Sequence, residues 1–192
     1  MKVEKLMKSD VGLCHPRDPG AVAAKIMWER DCGAVPVVDE RSQVLGMITD
    51  RDLCIASYLQ GKPLYEIPVA GVMSKELWSC RPQDNVSDAE RVMRDHQVRR
   101  LPVIDEEGRL QGILSLSDIA LEAAVEEKTK TRKPVVSYSS VAQTLGDISV
   151  PRFGQAAAPK QPRRKTPSKR SQKSPTRPRP SAGRREITEP EL

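Results

Sequence analysis

Two short segments place a hydroxyl residue three positions before an aspartate: Thr49 with Asp52, and Ser115 with Asp118. Each pair stands where an apolar run gives way to a helical pattern, so we expect a strand to end and a helix to begin there. Backbone N–H groups and the positive helix end at such a junction favour a phosphate. The hydroxyl can donate to a phosphate oxygen, and the carboxylate can accept from both ribose hydroxyls, as in dinucleotide-binding folds. The two pairs are therefore candidate elements for binding a nucleotide.

The same residue types also occur at helix starts for a purely structural reason. A Ser or Thr side chain at the N-cap accepts a hydrogen bond from a backbone N–H of the first turn. This alternative remains open for Thr49 and Ser115, and capping does not exclude ligand binding.

The basic residues near the two pairs differ. Arg51 lies inside the first pair and can supply a charge-assisted contact to a phosphate. The second pair has Ser117 at that position, but Arg99 and Arg100 precede its neighbouring strand. These arginines are either a second route to the same contact or a solvated pair. The difference predicts two unequal sites.

The two pairs belong to two copies of one unit. A shift of 66 positions lays residues 3–53 on 69–119 without a gap, with 13 identities in 51 positions. Among the identities are Cys14/Cys80, Pro16/Pro82, Asp18/Asp84, Pro36/Pro102, Gly46/Gly112 and Asp52/Asp118. An ungapped match of this length indicates an internal duplication, and repeats of this size are single supersecondary units.

Each copy is predicted to form a small α/β unit with a three-stranded sheet and two helices. The expected order is a short strand ending before a proline, a helix beginning at Asp18 or Asp84, two strands joined by a turn, and a second helix. The predicted strands of the first copy are 11–14, 34–38 and 44–48, with their counterparts 66 residues later. A unit of about 50 residues buries little surface alone, so we expect the copies to pack together with pseudo-two-fold symmetry.

Charge divides the chain into an acidic part and a basic tail. The net charge of +6 is the sum of −6 over residues 1–127 and +12 over residues 128–192. Residues 160–185 contain 11 Lys and Arg and no acidic residue, and residues 128–192 hold 9 of the 16 prolines. Such a segment cannot offset the entropy of ordering, so we expect disorder over 128–192. Residues 135–148 are slightly more apolar, and local docking of this stretch is the alternative.

The basic tail suits neutralisation of a phosphate backbone, which would be insensitive to base sequence. The alternatives are a solubilising extension or a tether to an acidic partner, including the acidic part of this chain. The candidate nucleic-acid contacts are Arg163, Arg164, Lys165, Lys169, Arg170 and Lys173.

Several protein classes find no support in the sequence. The four cysteines, Cys14, Cys32, Cys54 and Cys80, lack metal-ligand spacing and are expected to be small buried apolar residues. No nucleophile–base set or P-loop is present, so we expect neither an enzyme nor a catalytic cofactor. No apolar run reaches the ~20 residues of a membrane span. The N-terminus lacks a signal-peptide pattern, and a cytoplasmic protein is expected.

The repeat unit resembles the cystathionine-β-synthase (CBS) domain over residues 1–127. The resemblance rests on Pro36–Asp39 leading to Gly46–Asp52, and on Leu101–Asp105 leading to Gly112–Asp118. It implies a regulatory pair of domains, 1–66 and 67–127, followed by the tail 128–192. It further implies a homodimer built through the domain pair and a regulatory adenine ligand: AMP, ADP, ATP or S-adenosylmethionine.

The resemblance also assigns the site residues. It makes the hydroxyl and aspartate positions the phosphate and ribose contacts, and it makes the segments ending at Pro16 and Pro82 the lining of the adenine pocket. The candidate ligand-binding residues are Cys14, Pro16, Val35, Pro36, Thr49, Arg51, Asp52, Cys80, Pro82, Arg100, Leu101, Pro102, Ser115 and Asp118.

Overall fold

The computed structural model of the chain describes residues 1–129 and 136–151. Each repeat contains a β-hairpin with one helix before it and one after it, and a fifth helix follows the second repeat. The elements are α1 (Gly20–Glu29), β1 (Ala34–Val38), β2 (Val44–Thr49), α2 (Asp50–Gln60), α3 (Val86–His96), β3 (Arg100–Ile104), β4 (Leu110–Ser115), α4 (Leu116–Lys128) and α5 (Tyr138–Ile148). The tandem α/β architecture predicted from the sequence is confirmed.

Each sheet has two antiparallel strands, not the three that were predicted. Cys14 meets β1 at one parallel bridge, where its N–H donates to the Pro36 carbonyl (3.1 Å) and its own carbonyl accepts from Val38 N (2.9 Å). The next donor of such a ladder would be Pro16, which has no N–H. The Val38 carbonyl instead lies 3.0 Å from His15 Nδ1. The third strand is therefore reduced to one residue, and the second repeat shows the same bridge between Cys80 and Val103.

The first helix of each repeat begins two residues later than predicted. Asp18 does not cap α1: its Oδ2 accepts from the backbone N–H of His15 at 2.7 Å and closes the turn before the helix. Asp84 makes the same contact with Arg81 N at 2.8 Å. The helices begin at Gly20 and Val86 because these turns occupy the preceding residues.

The two repeats exchange their leading segments, residues 3–8 and 69–74, so that each segment packs against the other repeat. Val3, at the start of the chain, is fully buried in the core of the second repeat, and Val69 is fully buried in the core of the first. Lys8 pairs in antiparallel fashion with Ile113 of β4, and Ser74 pairs with Met47 of β2. The 66-residue shift interchanges these contacts, which confirms the predicted pseudo-two-fold arrangement. Each repeat therefore depends on the other for part of its core.

Residues 136–148 pack against the second repeat, contrary to the prediction of disorder over 128–192, and residues 130–135 and 152–192 lie outside the described part of the chain. Helix α5 packs against α3 and α4, and Val136 and Ile148 belong to the second core. The Ser137 hydroxyl caps α5 by accepting from Ser140 N at 3.1 Å. Thr144, on the packed face of α5, is fully buried. The sequence prediction failed because this face is only moderately apolar and uses polar partners in place of large hydrophobic residues.

Two buried glutamates hold α5 and the segment before it, beside Arg94, whose guanidinium donates to the Thr144 hydroxyl at 3.0 Å. Glu90 of α3 accepts from the Ser140 hydroxyl at 2.8 and 2.9 Å and from the Thr144 hydroxyl at 3.3 Å. Glu126 of α4 accepts from the backbone N–H of Val136 at 2.9 Å. A buried carboxylate is costly without such donors, so the two glutamates and α5 stabilise one another.

Candidate ligand-binding sites

Thr49 and Asp52 form a reciprocal cap at the start of α2. Thr49 ends β2 with extended backbone, and its hydroxyl accepts from Asp52 N at 3.2 Å. Asp52 Oδ2 accepts from the backbone N–H of Thr49 at 2.9 Å and from its hydroxyl at 2.7 Å. The capping alternative raised by the sequence is thus present. It uses only one of the two carboxylate oxygens.

Ser115 and Asp118 repeat this arrangement at the start of α4. Asp118 N donates to the Ser115 hydroxyl at 3.2 Å, and Asp118 Oδ2 accepts from Ser115 N at 2.9 Å and from the Ser115 hydroxyl. The side chain of Asp118 is 7% exposed, and its Oδ1 lies 3.3 Å from Lys8 Nζ. The two sites share their cap and differ in what the second carboxylate oxygen contacts.

The backbone donors expected to face a phosphate already have partners at the first site. Asp50 N donates to the Gly33 carbonyl at 3.4 Å, and Arg51 N donates to the side chain of Asp50 at 2.7 Å. The Thr49 hydroxyl hydrogen points to Asp52 and not outward. A phosphate at this junction would have to compete for these donors or rely on cationic side chains.

Arg100 is the cation that approaches the first site from the other repeat. An open cleft of about 620 Å³ is lined by Arg100 together with Gly33, Asp50 and Trp28, among others. The backbone of Arg100 pairs with Ser115 in the β3–β4 register, so this residue connects the two sites. The sequence assigned it to the second site alone. Arg51, in contrast, is exposed to solvent, and its guanidinium forms no ion pair with any described residue.

The apolar candidates lie in the cores. Val35 and Leu101 are fully buried, Pro36 and Pro102 are buried in the strands, and Cys14 and Cys80 are 1% and 5% exposed. Their side chains pack against the protein interior. These residues can therefore contact a ligand only through their backbone atoms or by shaping the surrounding surface.

Pro16 lies in a different cleft from Arg100. It lines an open cavity of about 490 Å³ with His15, Asp39, Arg41 and two neighbours, at the hairpin end of β1. Thr49 pairs with Ala34 at the opposite end of this strand. A strand rises about 3.3 Å per residue, so the bridge at Val37 lies roughly 10 Å from the Thr49 end. Pro82 occupies the equivalent position of the second repeat.

The thiols of Cys14 and Cys80 are held in the neutral form. Burial, and secondarily the negative charges of Asp18 and Asp84, raise the pKa of each thiol to about 12. Cys32 is half-buried and Cys54 is exposed, so the expectation that all four cysteines are buried holds for two of them. Within residues 1–129 and 136–151, no group of three or more His, Cys, Asp or Glu residues could hold a metal ion.

Two residues near the sites were missed by the sequence reasoning. Trp28 is 88% exposed beside the cleft that contains Arg100, and Lys8 contacts Asp118 from a segment 110 positions away. No local pattern signals either contact, although the equivalence of Lys8 with Ser74 follows from the 66-residue shift.

The candidate nucleic-acid residues, from Arg163 to Lys173, lie outside the described part of the chain, so that prediction stays a prediction. No helix of the described residues is long and apolar enough to cross a membrane.

The chain matches known proteins in both sequence and structure. The CBS domain family model matches twice, over residues 3–58 and 69–124. The CBS domain-containing protein YhcV of Bacillus subtilis is 34% identical over 139 residues, which cover 72% of this chain and 97% of that protein.

Solved structures support the same fold. Hypoxic Response Protein I, crystallised with two coordinated zinc ions, is 30% identical with a TM-score of 0.58 and covers 63% of this chain and 98% of its own. CBSX2 in complex with AMP is 26% identical with a TM-score of 0.57 and covers 66% of this chain and 98% of its own. Together with the duplicated capping sites, these matches show that the chain belongs to the CBS domain family and contains a tandem pair of CBS domains.

Proposed function

We propose that this protein is a regulatory sensor that binds an adenine-nucleotide-type ligand at the Thr49–Asp52 and Ser115–Asp118 sites. The observation that carries the proposal is the position of Asp52. Its Oδ2 completes the cap of α2, and its Oδ1 has no hydrogen bond or ion pair with any described residue. A half-buried carboxylate oxygen at a strand–helix junction is suited to accept from a ribose hydroxyl.

The arrangement of the neighbouring groups suits the rest of such a ligand. Arg100 places a guanidinium in the cleft beside Gly33 and Asp50, where it can pair with a phosphate. The bridge at Cys14 lies roughly 10 Å from Thr49 along β1, about three strand residues. This separation is comparable to the length of a nucleoside, so one molecule can extend from Asp52 toward that segment. A related CBS pair has been crystallised with AMP.

Thermal unfolding of the full chain with AMP, ADP, ATP and S-adenosylmethionine tests the proposal and identifies the ligand. A ligand that binds the native state raises the midpoint by mass action. Asp52→Asn keeps an oxygen for the cap and removes the charge, so it should reduce the shift. Asp95→Asn, at an exposed position of α3 outside both clefts, is the matched control and should retain it. The proposal fails if none of the four ligands changes the midpoint at millimolar concentration.

The surface of the domain pair also supports a homodimer. Helices α2 and α4 expose apolar side chains at equivalent positions, Ile55 and Leu59 on one helix and Leu121 and Val125 on the other. Leu59 is 74% exposed and Leu121 is 66% exposed, and each helix shows its pair four residues apart, on one face. We propose that a second copy covers these faces, because two symmetry-related apolar faces on one chain suit an isologous contact.

Sedimentation equilibrium tests this dimer. The double variant Leu59→Glu/Leu121→Glu should be monomeric at concentrations where the native chain is dimeric. The variant Tyr65→Glu introduces a glutamate at an exposed position outside α2 and α4 and should leave the dimer intact. A monomeric native chain, or an unaffected double variant, would exclude this surface.

The charge of the tail supports a second candidate function, association with nucleic acid. Residues 160–185 carry 11 basic and no acidic residues, whereas residues 1–127 are acidic overall. Deletion of residues 152–192 should abolish binding to duplex DNA or RNA, and binding by the full chain should weaken steeply with added salt. Equal binding by both proteins would reject this function.

A further inference from the structure

The chain's N-terminal segment places a lysine ammonium on the carboxylate of the second site. The backbone of Lys8 is fixed by two hydrogen bonds to Ile113, one in each direction and both 2.9 Å long. From this position Lys8 Nζ reaches Asp118 Oδ1 at 3.3 Å. The other oxygen, Oδ2, accepts from Ser115. Both oxygens of Asp118 are therefore engaged by groups of the protein itself.

The first site has the same backbone arrangement without the charge. Ser74 stands where Lys8 stands in the second site, and it pairs with Met47 through hydrogen bonds of 2.8 and 3.4 Å. Its hydroxyl donates to the Glu76 carbonyl at 3.2 Å, away from Asp52. No side-chain nitrogen of a described Lys, Arg or His lies within 4 Å of an Asp52 carboxylate oxygen. The two sites thus share the hydrogen-bond pattern of the cap and differ in the side chain that faces the second carboxylate oxygen.

We propose that Lys8 makes the two sites unequal in affinity. Its ammonium occupies the carboxylate oxygen of Asp118 that a ribose would need, so the first site binds the ligand more tightly than the second. This inference rests on the proposed function. The side chain of Asp118 is almost fully buried, and a ribose diol must displace the ammonium from it. The charged donor is then replaced by the neutral hydroxyls of the ribose. Asp52 requires no such exchange. From typical strengths of charged hydrogen bonds and partly exposed ion pairs, the difference should be about tenfold in dissociation constant.

The direction of the effect follows from the burial of the two partners. The Lys8 side chain is 70% exposed, so its ammonium remains hydrated when it leaves the pair. Asp118 is 7% exposed and keeps little water of its own, so its charge depends on the donor that faces it. The exchange therefore costs free energy mainly on the aspartate side, and it weakens ligand binding at that site alone.

Two exchange variants of the full chain test this role by calorimetric titration with AMP and with ATP. Lys8→Ser gives the second site the side chain of the first and should tighten second-site binding about tenfold. Ser74→Lys gives the first site the side chain of the second and should weaken first-site binding by a similar factor. Lys5→Ser removes one positive charge from the same segment and should leave both sites unchanged.

The background variants Asp52→Ala and Asp118→Ala assign each binding event to a site. In the Asp52→Ala background, only second-site binding remains, and Lys8→Ser should strengthen it. Equal affinities at both sites of the native chain, or second-site binding that Lys8→Ser weakens or does not change, would overturn the role of Lys8 and leave the proposed function standing. Absence of heat with both nucleotides in the native chain and in Lys8→Ser, together with no shift of the unfolding midpoint by any of the four ligands, would instead reject the proposed function itself.

Discussion

Gln43 and Arg109 form an antiparallel bridge with one another, and they occupy the same position in the two repeats. The bridge is flanked by a hydrogen bond from Val44 N to the Gly108 carbonyl at 3.0 Å and by its symmetric counterpart. Equivalent residues of a duplicated chain can face each other only on the pseudo-two-fold axis. The hairpin turns therefore meet on this axis, and the two repeats should unfold as one unit.

Variants in the exchanged leading segments test whether the two repeats unfold in a single transition. Val3→Ala removes a fully buried side chain from the second core, and Val69→Ala does the same in the first. Each should lower the free energy of unfolding by about 2 kcal/mol in a single urea transition, because the lost contacts and the cavity add. Lys5→Ala, an exposed control in the same segment, should change it little. Two separate transitions in either valine variant would contradict the interlocked fold.

The close approach of these segments should also be sensitive to a single methyl group. A Cβ on Gly112 would lie 2.7 Å from the Lys8 carbonyl, and one on Gly46 would meet the Ser74 carbonyl even more closely. Both carbonyls belong to backbone bridges, so neither can move aside cheaply. Gly112→Ala should therefore destabilise the protein by about 1–3 kcal/mol in chemical denaturation.

A glycine in open space supplies the control for this measurement. Gly146 lies within α5 with no atom near its missing Cβ. Gly146→Ala should stabilise the protein slightly, by about 0.5–1 kcal/mol, because alanine loses less backbone entropy in a helix. Equal effects of the alanine at positions 112 and 146 would argue against the close approach.

Much of this architecture was predictable from local signals. The 66-residue shift located both copies, and the change from strand to helix located the caps at Thr49 and Ser115. Gly61, with a φ of 60°, ends α2 in the left-handed conformation that glycine adopts readily. These features depend on nearest neighbours in the sequence, which is why pattern and residue type sufficed.

The remaining features depend on contacts between distant residues. Nothing near Glu90 indicates that it is buried, since its partners Ser140 and Thr144 lie 50 and 54 positions away. The pairing of Lys8 with Asp118 is equally remote. The missing third strand depended on a single absent N–H at Pro16, which an apolar pattern does not reveal.

The buried glutamate should control the docking of α5. Glu90→Ala removes the acceptor for two hydroxyls on the packed face of α5, leaving the buried Thr144 without it. Such a loss costs about 1–3 kcal/mol, and it should fall on α5 more than on the first repeat. Hydrogen exchange of residues 138–148 should accelerate while that of α1 is unchanged. Glu29→Ala, which removes an exposed glutamate paired with Lys25, is the control, and unaltered exchange in α5 of Glu90→Ala would refute the interpretation.

The buried thiols predict a specific alkaline dependence of stability. Burial raises the pKa of Cys14 and Cys80 to about 12 in the folded chain, against a reference value of 9.0. Above pH 9 the unfolded chain loses these protons and the folded chain keeps them. The contribution of the protonated thiols to the free energy of unfolding is thus complete below pH 9. It is lost as the pH rises toward 12, at up to about 1.4 kcal/mol per pH unit for each thiol.

Urea unfolding between pH 7 and pH 10 measures this loss. The double variant Cys14→Ala/Cys80→Ala is less stable at pH 7 but should show a smaller alkaline decline than the native chain. Cys54→Ala, at an exposed position, should keep the native decline. If the double variant declines as steeply as the native chain, other groups account for the alkaline loss.

Equilibrium dialysis of labelled AMP against the full chain tests most directly whether the caps of α2 and α4 are ligand sites. The native chain should retain AMP, and unlabelled ATP or S-adenosylmethionine should compete if either is preferred. Asp52→Ala/Asp118→Ala removes both carboxylates, and with its fold verified by circular dichroism it should retain none. Equal retention by the native chain and the double variant would contradict the assignment of these aspartates. No retention by the native chain of AMP, ADP, ATP or S-adenosylmethionine, each labelled in turn, would contradict an adenine sensor altogether.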